Sequence, residues 1–398
     1  MSAATPVLVT DAPSNASLAV VRSLGRRGIP VGVCTFADEF NLAAYSRWHT
    51  ETFTLPSPSR DAAGFVDALV RILETGKYPI VFPTTERTIQ LVSAARARLP
   101  AWVRIPIPDA EALASVVDKE RTMALAGELG VSMPRTWCPS SIDEVARLAP
   151  SLPYPVIVKP RQTNFLATGG HLAKVDYAVV PTASALGRAW SRVHQAVPRP
   201  LIQELVRGRG VGVNSLWRAG RPLVWFCHRR VREIDLRGGR STAAESAPCD
   251  GRMVEAASRM LTALRWHGVA MAEFKWDEDT GAFWLLEING RFWGSLPLAL
   301  AAGIDFPYYL YEVALEHSPQ PPAAYPVGVM ARDAVAELKH FLKVMVRGGG
   351  ARLATLRQAP TILHPWKSSF NWVADDPEPG RREWTNTVRR VVRRGRAA

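Results

Sequence analysis

The fold turns on the reading of Trp284-Leu285-Leu286-Glu287-Ile288-Asn289-Gly290-Arg291-Phe292-Trp293-Gly294-Ser295. As a strand, this stretch sends Glu287, Asn289 and Arg291 to one face, and Leu286 and Ile288 to the other, into a core. Upstream, Met271-Ala272-Glu273-Phe274-Lys275-Trp276 reads as a second strand with Ala272, Phe274 and Trp276 on its apolar face. Between the two, Asp279-Thr280-Gly281 makes a three-residue hairpin loop with glycine at the position that needs positive φ. A turn centred on Thr280 sets Glu273 opposite Glu287, because each lies seven residues from it. Two carboxylates facing each other on one sheet face repel unless a proton or cation sits between them. With the Asn289 oxygen they form a hard-oxygen set suited to Mg²⁺, which takes few protein ligands and completes its octahedron with water and phosphate.

The whole chain sets the bounds. Its 398 residues exceed one ordinary core and imply two or three lobes. Hydrophobic content of 47% and charged content of 21% are those of a globular protein. No apolar run reaches the roughly 18 residues of a membrane helix, and Met1-Ser2-Ala3-Ala4-Thr5-Pro6 lacks the basic and apolar regions of a signal peptide. Cys34, Cys138, Cys227 and Cys249 are scattered without metal-ligand spacing, and are expected as buried small hydrophobes in a reducing cytoplasm. The net charge is +13, and after Pro377 seven arginines stand against Glu378 and Glu383. This tail reads as a basic helix, either solvated or in contact with an acidic surface. Elsewhere the basic charge is dispersed and no nucleic-acid-binding motif is present.

Along the chain, Pro6-Val7-Leu8-Val9-Thr10-Asp11 reads as a buried strand, Ser14 to Gly28 as a helix, and Ile29-Pro30-Val31-Gly32-Val33-Cys34 as the next strand. The alternation continues to about Val116, a doubly wound α/β lobe without a G-x-G-x-x-G signature. Pro83-Thr84-Thr85-Glu86 closes one of its strands, where such sheets place ligands or begin a helix. A second unit opens at Asp118-Lys119 and contains Tyr154-Pro155-Val156-Ile157-Val158-Lys159-Pro160. The loop from Thr163 to Gly170 follows it. A lysine ending a buried strand is costly unless an anion meets it, and beside a loop of free backbone N–H groups it suits nucleotide phosphates. A third unit starts with Pro200-Leu201-Ile202-Gln203-Glu204-Leu205-Val206-Arg207-Gly208 and ends with the hairpin.

In this order, Asp118-Lys119, Ile157-Val158-Lys159-Pro160, Gly169-Gly170, Ile202-Gln203-Glu204-Leu205-Val206, Ala272-Glu273-Phe274 and Glu287-Ile288-Asn289-Gly290-Arg291 resemble the ATP-grasp superfamily. Phe226-Cys227-His228-Arg229-Arg230-Val231-Arg232-Glu233 looks like a subgroup of predicted carboxylate–amine ligases. The resemblance implies a mixed α/β and α+β chain: a doubly wound, Rossmann-like pre-ATP-grasp domain over 1–116, ATP-grasp lobes over 117–196 and 197–318, and an extension over 319–398. ATP then lies between the lobes. Lys119 and Lys159 meet the α- and β-phosphates, and Gly169-Gly170 closes over them. Gln203, Leu205 and Val206 read adenine, with Glu204 near the ribose or adenine edge. Glu273, Glu287 and Asn289 hold Mg²⁺, with Mn²⁺ as a substitute, and Arg291 faces the γ-phosphate. Arg230 takes the γ-phosphate or an acidic substrate.

The same resemblance implies a cytoplasmic enzyme acting on a small carboxylate and an amine, compatible with a homodimer. Three alternatives share the nucleotide site: a phosphotransferase, a carboxylating enzyme, and a non-catalytic ATP-binding protein with a basic interaction tail. One departure from the family pattern is plain. The strand that often carries an acidic ribose contact reads Gly212-Val213-Asn214-Ser215.

Overall fold

A computed structural model describes residues 4–167, 171–235, 238–347 and 369–395. The chain opens with four parallel strands, β1 (Val7–Val9), β2 (Val31–Phe36), β3 (Glu51–Leu55) and β4 (Ile80–Phe82), in the order β3-β2-β1-β4. All residues of β1, β2 and β4 are buried, as expected of parallel strands covered on both faces. The helix Asn15–Gly25 begins where Ser14 accepts a hydrogen bond from the Ala16 N–H, a side-chain cap that satisfies one free donor of the first turn.

The second unit is a sheet in the order β5-β10-β6-β9, built from β5 (Thr136–Trp137), β6 (Val156–Lys159), β9 (Ala178–Val180) and β10 (Leu201–Glu204). The short hairpin β7 (Asn164–Ala167) and β8 (His171–Lys174) extends from it. Pairing of β10 with β5 and β6 ties Gln203 to the lobe that carries Lys159, although the sequence boundary at 197 places β10 in the following lobe. The third unit contains β11 (Arg209–Arg218), β12 (Arg221–Asp235), β13 (Gly238–Ala247), β14 (Gly268–Trp276), β15 (Phe283–Asn289) and β16 (Met330–Arg332), in the order β15-β14-β11-β12-β13-β16. Strand β16 comes from the extension after 319 and closes the edge beside β13.

Packing divides the molecule differently from sequence order. Val7, Val9, Leu18 and Val21 of the first lobe share one core with Phe292, Trp293, Leu296 and Phe306, which follow the last strand of the third unit. Leu8, Phe65 and Val81 share another with Trp217, Trp266, Phe274 and Leu285. The first and third units are therefore welded through their interiors. The second unit has a core of its own, Val145, Val156, Val158, Leu186, Trp190 and Ile202.

Two expectations change here. Cys227 and Cys249 form a disulfide with a Cα–Cα distance of 5.2 Å. The ladder places Cys227 opposite Ala247, two residues before Cys249, a proximity that a separation of 22 residues does not reveal. Cys34 and Cys138 remain free. No helix among the described residues is long and apolar enough to cross a membrane.

The tail is also anchored and not merely solvated. Buried Arg22 donates through Nε to Asp376 Oδ2 at 2.8 Å, and its Nη atoms meet the carbonyls of Phe370, Asn371 and Asp376. Asp376 in turn accepts from Ser46 Oγ at 2.7 Å and the Arg47 N–H at 2.9 Å. The helix Glu378–Gly395 follows, with Arg382 stacked over Tyr45 at 5.5 Å. Removing one partner of a buried, fully bonded ion pair leaves the other charge stranded. Asp376→Ala should therefore lower unfolding free energy by about 3 to 5 kcal/mol, read from urea denaturation followed by far-UV circular dichroism.

Candidate active site

The β14–β15 hairpin sets Glu273 directly opposite Glu287, but by a route that the sequence does not display. The loop spans the six residues between Trp276 and Phe283, with Asp277 N–H bonded to Ala282 O and Gly281 at φ +69°. Its centre lies half a residue from Thr280, and on that register Glu273 would face Leu286. A bulge corrects it: Phe274 pairs with Leu285, Glu273 pairs with Glu287, and Leu286 is the extra residue. Leu285, not Leu286, is fully buried in the core, and its N–H is bonded to Ser132 O at 2.8 Å. The loop of three residues is thus corrected, while the facing carboxylates are found.

The protein surrounds this pair with its own cations. Arg230 Nη2 lies 2.6 Å from Glu273 Oε2, and its Nη1 lies 3.1 Å from Glu233 Oε1. Lys119 Nζ is 3.9 Å from Glu287 Oε2 and donates to Thr163 Oγ1 at 2.9 Å. Asn289 donates to Glu287 Oε1 at 3.0 Å, and Arg291 donates to Asn289 Oδ1 at 2.9 Å. Burial raises the pKa of Glu273, and repulsion from Glu287 and Glu233 adds to this against the pull of Arg230. Burial also acts on Glu287, but Lys119, the Asn289 hydrogen bond, Lys159 and Arg291 more than offset it and hold its pKa down. Gly290 is required by close approach, since a Cβ there would stand 2.6 Å from the buried Trp266 ring.

Two carboxylate groups and an amide oxygen fit Mg²⁺ as a donor set. Glu273 and Asn289 are engaged by Arg230 and Arg291, so a metal would displace or share these contacts. Among the described residues there is no cluster of three His, Cys, Asp or Glu side chains able to hold a metal. Any cation here must therefore complete its shell from water or a bound phosphate. Glu86, Lys119, Glu287, Asn289 and Arg291 line the adjoining cleft.

Lys159 reaches the site from the separately cored lobe. Its ammonium donates to Gln203 Oε1 at 2.7 Å, and Gln203 Nε2 donates onward to Thr136 Oγ1 at 2.9 Å. The buried Gln203 side chain thus orients the lysine. Glu204 is paired with Arg135 at 2.9 Å, and Leu205 and Val206 follow at the lobe edge, Leu205 exposed. Gly169 and Gly170 lie outside the described residues.

The basic stretch on β12 sorts into ion pairs. Arg229 meets Glu245 at 2.8 Å, and Arg232 meets Glu337. His228 is buried, accepts or donates at Asn214 and Ser295, and burial lowers its pKa to about 3, so it is neutral. At the position of the expected ribose contact, Asn214 is wholly buried and bonded to the Phe226 carbonyl and His228. The sequence reading missed Glu233. In a regular strand residues 230 and 233 point to opposite faces, and two register shifts in β12 bring them together.

A family model described as ATP-grasp in the biosynthetic pathway with Ter operon matches residues 197–337. The D-alanine–D-alanine ligase of Ectopseudomonas mendocina is 28% identical over 216 residues, covering 51% of this chain and 66% of that protein. Over these segments the chain is similar to ATP-grasp proteins. The matched segment spans just under two thirds of that curated relative's length. Among solved structures, a biotin carboxylase complex from Campylobacter jejuni superposes with a TM-score of 0.65 at 16% identity, covering 81% of this chain and 73% of that one. N5-carboxyaminoimidazole synthetase from Staphylococcus aureus gives 0.61 at 12% identity, covering 81% and 80%. These likenesses carry the ATP-grasp fold, including the preceding doubly wound lobe.

Burial, together with nearby Lys119, lowers the pKa of Lys159 from 10.5 to about 8, against the opposing pull of Glu287 and Glu273. A folded-state value below that of the unfolded chain costs stability below pH 8, and the cost fades as pH rises from about 8 towards 10.5. An anion bound beside Lys159 restores its charge. ATP binding should therefore weaken as pH rises above about 8 and take up a proton, seen by calorimetry as a buffer-dependent enthalpy. Lys159→Arg, permanently charged, should remove both effects.

Proposed function

We propose that this ATP-grasp protein is an ADP-forming ligase that activates a small carboxylic acid as an acyl phosphate and joins it to an amine. The observation carrying this reading is the facing pair Glu273 and Glu287 within a ring of Lys119, Lys159, Arg230 and Arg291. Such a ring answers the charge of a triphosphate and of a carboxylate brought beside it. Phosphoryl transfer asks a protein mainly for positioning and charge compensation, without a covalent protein nucleophile.

In this scheme Lys119 and Lys159 bind the inner phosphates. Glu273, Glu287 and Asn289 would hold Mg²⁺, which when bound supplies charge neutralisation at the phosphate oxygens. Arg291 stands just beyond Asn289 and offers a fixed guanidinium to oxygen atoms that gain charge during transfer. The carboxylate oxygen attacks the γ-phosphorus, ADP departs, and the amine then displaces phosphate from the acyl carbon. The assignment is supported by the curated ligase relative. The similarity to a biotin carboxylase supports a second reading, a carboxylating enzyme using the same nucleotide site.

The deciding assay combines the protein, Mg·ATP, hydroxylamine and a carboxylic-acid library. Acid-dependent ADP with a hydroxamate is expected. Acid-dependent AMP would refute the reading, and a phosphorylated alcohol would assign a phosphotransferase. Arg291→Ala should reduce hydroxamate formation roughly 10²- to 10³-fold, the usual effect of deleting one donor to a developing oxyanion. Glu287→Gln should abolish turnover and the rise in melting temperature that Mg·ATP gives the wild type. Because Lys119, Lys159 and Arg291 lose a neutralising charge, the free variant should also melt at or below the wild-type temperature.

A further inference from the structure

Glu86 lines the same cleft as Lys119, Glu287, Asn289 and Arg291. It follows β4, at the carboxyl end of a parallel strand and at the point where the order β3-β2-β1-β4 reverses its winding. Crevices at such points are where open α/β sheets receive ligands. The residues on either side of Glu86 are pinned from beneath. Asp11, fully buried with φ +59°, accepts from Thr85 Oγ1 at 2.9 Å and Arg87 Nε at 3.0 Å, and its other oxygen accepts from Thr10 Oγ1 at 2.7 Å and from Thr88. Arg87 continues to Glu39 at 2.8 and 3.1 Å. A left-handed, non-glycine residue is a costly support, and here it fixes the backbone on both sides of Glu86.

Charge decides what that carboxylate meets. Two carboxylates, Glu86 and Glu287, line the cleft beside Lys119 and Arg291. Glu287 is held by Lys119, Asn289 and their neighbours. Among the described residues, Glu86 makes no ion pair and one side-chain hydrogen bond, from Asn164 Nδ2 at 3.0 Å. A helix-end role would account for an acidic side chain in a first turn. It does not account for this one lining a cleft with the reaction centre while both flanking side chains are tied to Asp11.

We propose that Glu86 receives the ammonium group of the acceptor, a protonated primary amine. The inference rests on the ligase reading and names its second substrate class. An ammonium is repelled by Lys119 and Arg291, and Glu86 is the carboxylate of the same cleft that no cation holds among the described residues. On reaction the ammonium gives one proton to water. Its nitrogen lone pair then forms the C–N bond to the acyl carbon as the C–O bond to phosphate breaks, inorganic phosphate leaves with that electron pair, and the nitrogen gives its second proton to the departing phosphate, leaving a neutral amide.

The test compares a cationic acceptor with a neutral one. The full chain and its Glu86→Gln variant are assayed with Mg·ATP and a carboxylic-acid library, using either hydroxylamine, neutral at pH 7.5, or a panel of α-amino acids, diamines and alkylamines. Glu86→Gln should raise KM for the ammonium acceptor about 10- to 100-fold more than KM for hydroxylamine, as expected for loss of one charge-assisted contact. Glu86→Asp, which keeps the charge, should recover much of the difference. An equal rise for both acceptors, or none, would overturn the inference. So would wild-type hydroxamate formation with every ammonium acceptor refused, a result that leaves acyl-phosphate formation standing. Absence of ADP and hydroxamate with every acid would bring down the ligase reading, and this inference with it.

Discussion

The facing of Glu273 and Glu287 is the constraint around which the rest of the site is arranged. Two carboxylates facing each other on adjacent strands would destabilise a sheet by mutual repulsion. Arg230 from β12, Lys119 from the start of a helix and Arg291 from the strand's end each answer part of that charge. Glu233 then answers Arg230, and Thr163 orients Lys119. In the free protein, each of these carboxylates has a cation of the protein close to it.

How the lobes are cored says what can move. The first and third units share interiors, so Glu86 and the carboxylate pair belong to one rigid frame. Lys159 and Gln203 sit in a lobe with a separate core. Contacts between the two bodies at the cleft are polar, such as Asn164 with Glu86 and Thr163 with Lys119. Polar contacts exchange readily with water or ligand, whereas a shared apolar core does not. A nucleotide entering between the bodies needs to break only the first kind.

Much of this was legible in the sequence because it depends on period and order. Alternation along residues 284 to 291 put Glu287, Asn289 and Arg291 on one face, and the apolar run before Lys159 made that lysine conspicuous. What stayed hidden arises from departures from period. The bulge at Leu286 moves the register by one, so the facing of Glu273 and Glu287 was inferred from a loop centre that the bulge has to correct. Register shifts in β12 likewise join Arg230 to Glu233. The Cys227–Cys249 pair and the docking of Asp376 depend on long-range closure, for which a single sequence carries no local signal.

The clamp between Arg22 and Asp376 has a consequence for how the chain comes to be built. The two residues are 354 positions apart, so the ribosome finishes the first lobe's strands long before it makes the carboxylate that lobe requires. At about 5 to 20 residues per second the delay is on the order of tens of seconds. During that time Arg22 has no anion to accompany it inward, and the surface that will receive residues 370 to 376 stays wet. The lobe synthesised first is therefore the one completed last, and a nascent chain stalled before Asp376 carries an unsealed first lobe however well its interior strands have paired.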